Sequence, residues 1–249
     1  MITLLLIMQL KKEVQYIEAS MEDVERLILQ RFKEEPFHSL NFLTWAKFHQ
    51  KVTGGSCSDK VQSMFYQLEN IGCNVFLHEA YIHNIKCHRV LRIMIKGRMY
   101  FADIGNAWPI IKLIPSYEPI EFEVCGIKYT TSITDNRVNV FHKLPNEIKP
   151  SHVVSIGLIE QAQQPIKANI ANRLSQREKI PFNNKIRFAQ MIDNDFLFMK
   201  DDTLRIYSSQ TSHRKYGIEN IKLKNNNVHD LAKNINTYFN IKLISAMDK

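Results

Sequence analysis

The chain has 249 residues, 45% of them hydrophobic and 10% aromatic, which excludes a disordered polypeptide and fits one compact unit with two or three lobes. Its formal charge is +8, of which +7 falls between Lys167 and Lys249, where 15 Lys or Arg face 8 Asp or Glu. Four cysteines, Cys57, Cys73, Cys87 and Cys125, form no C-x-x-C pair and no dense framework, which excludes a disulfide scaffold and points to free thiols in a reducing compartment.

The opening "MITLLLIMQLKKE" is too short an apolar run to span a bilayer, and it lacks the basic leader and small-residue cleavage site of a signal peptide. It predicts a docked N-terminal element of a cytoplasmic protein with no membrane partner. "SMEDVERLILQRFKEEPF" follows as a capped helix: Ser20 caps, Asp23 sits three residues on, and Val24, Leu27, Ile28 and Phe32 recur at helical spacing until Pro36. "LTWAKFHQKV" reads as a second, shorter helix. A third starts at Cys57, with Val61, Met64, Phe65 and Leu68 on one face and Gly72 as its stop.

From Asn74 the period changes. "NVFLHEAYI", "HRVLRIMI", "RMYFADI", "EFEVCGIKYTTSI" and "RVNVFHKL" are strand-like runs broken by turn signals, which predict an antiparallel sheet or barrel. Further on, "IRFAQMIDNDFLFMKDDTLRIYSS" gives strands with a turn at Asp201-Asp202, and "NNVHDLAKNINTYFNIKLI" gives a final helix. The excess positive charge of this last third is either a solvated face or a field for a polyanionic ligand such as a phosphate-rich cofactor. No zinc-knuckle spacing or RNA-binding aromatic motif supports nucleic acid as a partner.

"TGGSC" places a thiol where a glycine turn meets a helix N-terminus. Cys57 there is either a small buried hydrophobe or a nucleophile whose thiolate the helix dipole favours. The strands favour the second, against a surface histidine near an acid by chance. In "HRVLRIMIKGRMYFADIG", a hairpin loop of two or four residues centred on Lys96-Gly97 pairs Ile95 with Arg98 or Met94 with Met99, the same register either way. Val90 then lies opposite Asp103, and His88 and Asp103 are diagonal neighbours on one face. A carboxylate so placed orients the imidazole and stabilises its protonated form. Cys57, His88 and Asp103 together make a thiol–imidazole–carboxylate constellation suited to acyl transfer.

These residues resemble the arylamine N-acetyltransferases. That family has an R-G-G-x-C pattern, matched here by Gly54, Gly55 and Cys57. Its histidine–aspartate stretch is matched by His88, Leu91, Ile93, Gly97, Tyr100, Asp103 and Gly105. "PFHSL" from Pro36, "PFNNKIRFAQMIDNDFLFMKDDTLRI" and "YFNIKL" look like further parts of the family, so the resemblance spans most of the chain. The pattern departs at Thr53 (arginine in the family), Asp59 (glutamate), Val61 (asparagine), and Asn106 and Ala107 (phenylalanine and glycine).

The resemblance implies an α+β protein with a cysteine-protease- or transglutaminase-like core: a helical lobe at 1–72, a central antiparallel β-barrel at 73–155 and an α/β lid at 156–249. It implies Cys57, His88 and Asp103 as the catalytic triad, and Gly105, Asn106 and Ala107 as the loop beside the acyl-CoA. Acetyl-CoA is the implied donor, and a small aromatic amine or hydrazine the acceptor, by a ping-pong mechanism. An amide synthase of natural-product assembly, a cysteine hydrolase or transglutaminase-like enzyme, and a non-catalytic binding relative are the alternatives. The histidines at 78, 83 and 88 step by five and so alternate faces on a strand, so no metal site is expected. Cys73 and Cys125 read as small core residues, and Trp108 as either packing or a pocket wall.

Overall fold

The computed structural model describes residues 19–48, 52–175, 183–208, 217–239 and 241–243. The apolar N-terminal run lies outside them. Helix α1, Met21–Glu34, begins as its sequence predicts: the Ser20 hydroxyl accepts from the Asp23 N–H at 3.1 Å, and the Asp23 carboxylate reaches back to Ser20. Val24, Ile28 and Phe32, one turn apart, form its buried face. Helix α2, Cys57–Asn70, buries Val61, Met64, Phe65 and Leu68. It stops at Gly72, whose φ of 83° lets the Cys73 N–H return to the Leu68 carbonyl and the Gly72 N–H to that of Glu69.

The expected helix over "LTWAKFHQKV" does not form across 43–48. A single 3-10 turn, Leu40–Phe42, precedes that stretch, and the chain then runs on irregularly. Tertiary contacts override its helical pattern. Leu43 and Ala46 bury against the C-terminal core, while the N–H and hydroxyl of Thr44 both donate to the Asn184 side chain at 2.8 Å.

Two antiparallel sheets carry the rest. Eight strands, β2 (Asn74–Ile82), β3 (Ile85–Ile95), β4 (Arg98–Ala102), β5 (Ile114–Pro115), β6 (Glu121–Val124), β7 (Ile127–Thr134), β8 (Arg137–Lys143) and β9 (Ser151–Gly157), lie in the order β5-β4-β3-β2-β9-β8-β7-β6. The expected barrel is therefore an open sheet among the described residues, with β5 and β6 as its edges. Both suit an edge: Pro115 has no N–H to offer a further strand, and Glu121 and Glu123 charge β6. "EFEVCGIKYTTSI" is two strands, because Cys125 and Gly126 take positive φ and reverse the chain.

The second sheet has the order β1-β10-β11-β12-β13, from β1 (Phe37–His38), β10 (Arg187–Ile192), β11 (Asp195–Lys200), β12 (Thr203–Ser208) and β13 (Gly217–Lys222). Helices α3 (Gln163–Ala171) and α4 (Val228–Tyr238) complete the mixed α+β fold. One core joins α1 and α2 to the eight-stranded sheet; another packs α4 on the five-stranded sheet through Leu231, Ile235, Phe188, Met199 and Leu204. Each such side chain contributes about 1.5–3 kcal/mol on burial. Among the described residues no helix is long and apolar enough to cross a membrane.

Candidate active site

The first turn of α2 is fixed from a distance. Strand β1 pairs with β10, Phe37 opposite Ala189, and its other side holds the glycine turn: the Gly55 N–H donates to the Pro36 carbonyl at 3.1 Å and the His38 N–H to the Gly55 carbonyl at 2.9 Å. Only glycine fits this approach. Gly54 has a φ of 82°, and a Cβ on it would meet the Pro36 carbonyl oxygen at 2.1 Å. Beyond the turn, the Asp59 carboxylate accepts from the Ser56 N–H at 2.9 Å and the Ser56 hydroxyl at 2.7 Å. Arg173, from just beyond α3, pairs with the other Asp59 oxygen. Cys57 therefore starts α2 on a braced frame, with its residue 8% exposed.

The β3–β4 hairpin has the register the sequence predicts, Ile95 opposite Arg98 and Met94 opposite Met99. Lys96 and Gly97 both take positive φ, as a two-residue hairpin turn requires. The register carries His88 and Asp103 together: His88 Nε2 and Asp103 Oδ1 are 2.7 Å apart, in residues 2% and 0% exposed. The Cys57 thiol donates to the Cys87 carbonyl, with Sγ 3.9 Å from that oxygen, and interacts with the His88 imidazole beside it. Gly105 brings the following loop against Cys57, since a Cβ there would lie 2.9 Å from Cys57 Cβ and from the Arg89 carbonyl oxygen.

Electrostatics follow from this packing. Burial opposes charge on His88, but the Asp103 carboxylate, its hydrogen bond and the nearby thiol raise the imidazole to about 10. Burial also pushes the Cys57 thiol up, and the hydrogen bond and charge of His88, with Arg89, outweigh it and hold Cys57 below the ordinary thiol value. Cys73 and Cys87 go the other way, raised by burial. The arrangement can thus hold a thiolate beside an imidazolium, the form that attacks a carbonyl carbon.

A cavity of about 250 Å3 contains Cys57 and His88 and is walled by Gly105, Asn106, Ala107, Trp108, His142 and Phe198, with Arg187 and His152 among its other residues. Gly105, Asn106 and Ala107 all line it. Trp108 is one of its walls, packed at tilted or edge-on angles among His142, Phe198, Phe196 and Tyr207 with ring centroids 4.5–5.7 Å away. A larger cavity, about 790 Å3, is lined by Gly54, Asp59, Tyr66, Arg173 and Leu174 but not by Cys57, His88 or Asp103. Of the three spaced histidines, His78 packs on Phe101 and bonds the Gly157 carbonyl at 2.8 Å, away from His88's partners. No group of three or more metal-ligating side chains gathers among the described residues. Cys125 is buried and Cys73 half-buried against the core.

His142, His152, Arg187 and Phe198 escaped sequence reasoning, as did the Arg173–Asp59 pair. Each reaches the site from a segment far along the chain, with no local pattern to mark it. Asn106 was expected beside the acyl-CoA and not as a partner of Asp103; its amide Nδ2 donates to Asp103 Oδ2 at 2.9 Å.

No family model matches the sequence, and no curated protein matches it. Solved structures do. The arylamine N-acetyltransferase of Mycobacterium abscessus superposes with a TM-score of 0.72 at 12% identity, covering 90% of this chain and 84% of that one. The Mycobacterium marinum arylamine N-acetyltransferase, solved in complex with CoA, gives 0.68 at 14% identity over 87% and 84%. A Bacillus cereus arylamine N-acetyltransferase described as having a Cys-His-Glu triad gives 0.65 at 15% over 91% and 93%. The chain has the fold of the arylamine N-acetyltransferases.

Proposed function

We propose that this protein moves an acetyl or related acyl group from acyl-CoA, through a thioester on Cys57, to the nitrogen of a small aromatic amine or hydrazine. The observation that carries the reading is the buried His88–Asp103 pair, 2.7 Å long, whose imidazole lines one cavity with a thiol held below its ordinary pKa. The fold adds to it, since a neighbour in that fold was solved with CoA. On this reading the site lies where the segments 1–72, 73–155 and 156–249 meet, and Gly105, Asn106 and Ala107 border the acyl-CoA.

Cys57 thiolate attacks the thioester carbonyl carbon, and the negative charge moves to the carbonyl oxygen. First-turn amides of α2, which have no partner within the helix, face that charge. Collapse breaks the carbon–sulfur bond to CoA, and the leaving thiolate takes the proton of the His88 imidazolium. The acceptor nitrogen then attacks the acyl-cysteine and gives its proton to His88. Collapse expels Cys57 thiolate, the amide leaves, and the thiolate–imidazolium pair is restored. Asp103 holds the imidazole in position throughout.

The test is intact-protein mass spectrometry. Acetyl-CoA without amine should add one acetyl group, on Cys57, and an aromatic amine or hydrazine should discharge it. Cys57→Ala should acquire no mass, whereas Cys73→Ala should behave as the parent. Propionyl-, malonyl- and longer acyl-CoA donors belong in the same series, because Asn106 and Ala107 alter the pocket. Folded protein that no donor acylates would sink the reading, leaving turnover of peptides or glutamine, or binding without turnover, to be assayed.

A further inference from the structure

The Asp103 carboxylate is completely buried, and charge removed from water needs donors on both oxygens. Among the described residues two side chains bond it: His88 at Oδ1 and Asn106 at Oδ2. Asn106 is itself only 5% exposed, and its own oxygen accepts the Trp108 N–H at 3.1 Å. That second bond fixes which way the amide faces. Its Oδ1 must meet an N–H and its Nδ2 must meet a carboxylate, so the amide cannot be reversed without losing both bonds. Aspartate would oppose Asp103 with a second negative charge, and an apolar side chain would offer Oδ2 nothing.

We infer that Asn106 is a positioning residue for acyl transfer: it holds the second oxygen of Asp103 so that the first stays aligned on His88, and it ties that alignment to the backbone of the pocket wall at Trp108. The inference rests on the acyltransferase reading for its catalytic consequence, and on the hydrogen-bond geometry alone for its effect on the thiol. Without the amide, Oδ2 is a buried acceptor with no donor. The carboxylate then turns from its bond with His88 or takes the imidazolium proton. Either way His88 loses charge, and Cys57 loses the cation that lowers its pKa.

The experiment follows the pH dependence of Cys57 alkylation by iodoacetamide, with peptide mapping, in the parent, in Asn106→Leu and in Asn106→Ala. The second variant serves if the first does not fold. Removing the donor should move the alkylation midpoint up by about one pH unit, tenfold in proton affinity. In the acyl-transfer assay kcat should fall by up to about the same factor of ten, while KM for acyl-CoA holds. Asn106→Asp should give an alkylation profile with an added step, because two adjacent carboxylates share one proton. A midpoint unchanged in folded variants, or a KM effect with no midpoint shift, would overturn the inference and make Asn106 a packing or donor-binding residue. The alkylation readout needs no acyl donor. Absence of acylation in the parent therefore sinks the acyltransferase reading alone, while a parent that alkylates like an ordinary thiol overturns both.

Discussion

Asp103→Asn removes one charge and leaves the shape of the site intact, so its effect can be worked from the geometry. A unit charge pair 2.7 Å apart is worth roughly 6 kcal/mol at an effective dielectric of about 20. The rise of His88 from 6.5 to about 10 amounts to roughly 5 kcal/mol of preference for the charged imidazole, the same order. With the carboxylate present, His88 is protonated through the neutral range and loses its proton only as pH rises through about 10. With an amide in its place, burial is opposed only by the Cys57 thiol, and the imidazole loses the largest support for its charged form. Cys57 then faces a neutral ring, and burial carries the thiol upward. The thiolate fraction near neutral pH should fall by at least about 100-fold, and the acylation rate with it. The assay is the rate of Cys57 alkylation against pH, beside the rate of acetyl-enzyme formation, with circular dichroism to show an unchanged fold. Asp135→Asn, in an exposed turn, is the control. An alkylation midpoint in Asp103→Asn within about half a pH unit of the parent's would refute the electrostatic argument, because it would show that His88 keeps its charge without Asp103.

Gly105→Ala puts a Cβ 2.9 Å from both Cys57 Cβ and the Arg89 carbonyl oxygen, neither of which is a flexible side-chain end. It should cost about 1–3 kcal/mol in urea denaturation and slow Cys57 alkylation, and parent-like values for both would count against a tight approach there. Lys60 is 1% exposed, bonds the Glu35 carbonyl and lies 4.8 Å over the Phe32 ring, and burial lowers its ammonium to about 7. Its pKa is depressed on folding, so the unfolded chain binds the proton more tightly between about 7 and 10.5. The parent should therefore gain on Lys60→Met by up to about 1.4 kcal/mol per pH unit as pH rises across that range; parallel stability curves at pH 7, 8 and 9 would show that Lys60 stays charged. If the basic last third steers the anionic donor, added salt should raise KM for acyl-CoA and hardly change that for an uncharged amine. A salt-independent donor KM would make that charge a solvated surface.

Local chemistry determined much of the site. Ser20 and Asp23 mark the start of α1, Gly72 ends α2, and the two-residue turn at Lys96-Gly97 sets a register that brings His88 to Asp103. These are short-range effects, in which a cap, a positive φ or a strand period of two is read within a few residues, and so the sequence alone carries them. The tertiary structure decided what depends on distant partners. The helical pattern at 43–48 lost to the tether of Thr44 on Asn184, and Phe37–His38 became a strand only because Ala189 and Phe188 pair with it. Asp59, read as a local cap, is also held by Arg173 from more than a hundred residues away. Asn106 shows the limit at its smallest scale. It is three residues from Asp103, but nothing in that spacing tells a donor facing the carboxylate from one facing the cavity, because the backbone of the loop, pinned at Trp108, sets the direction.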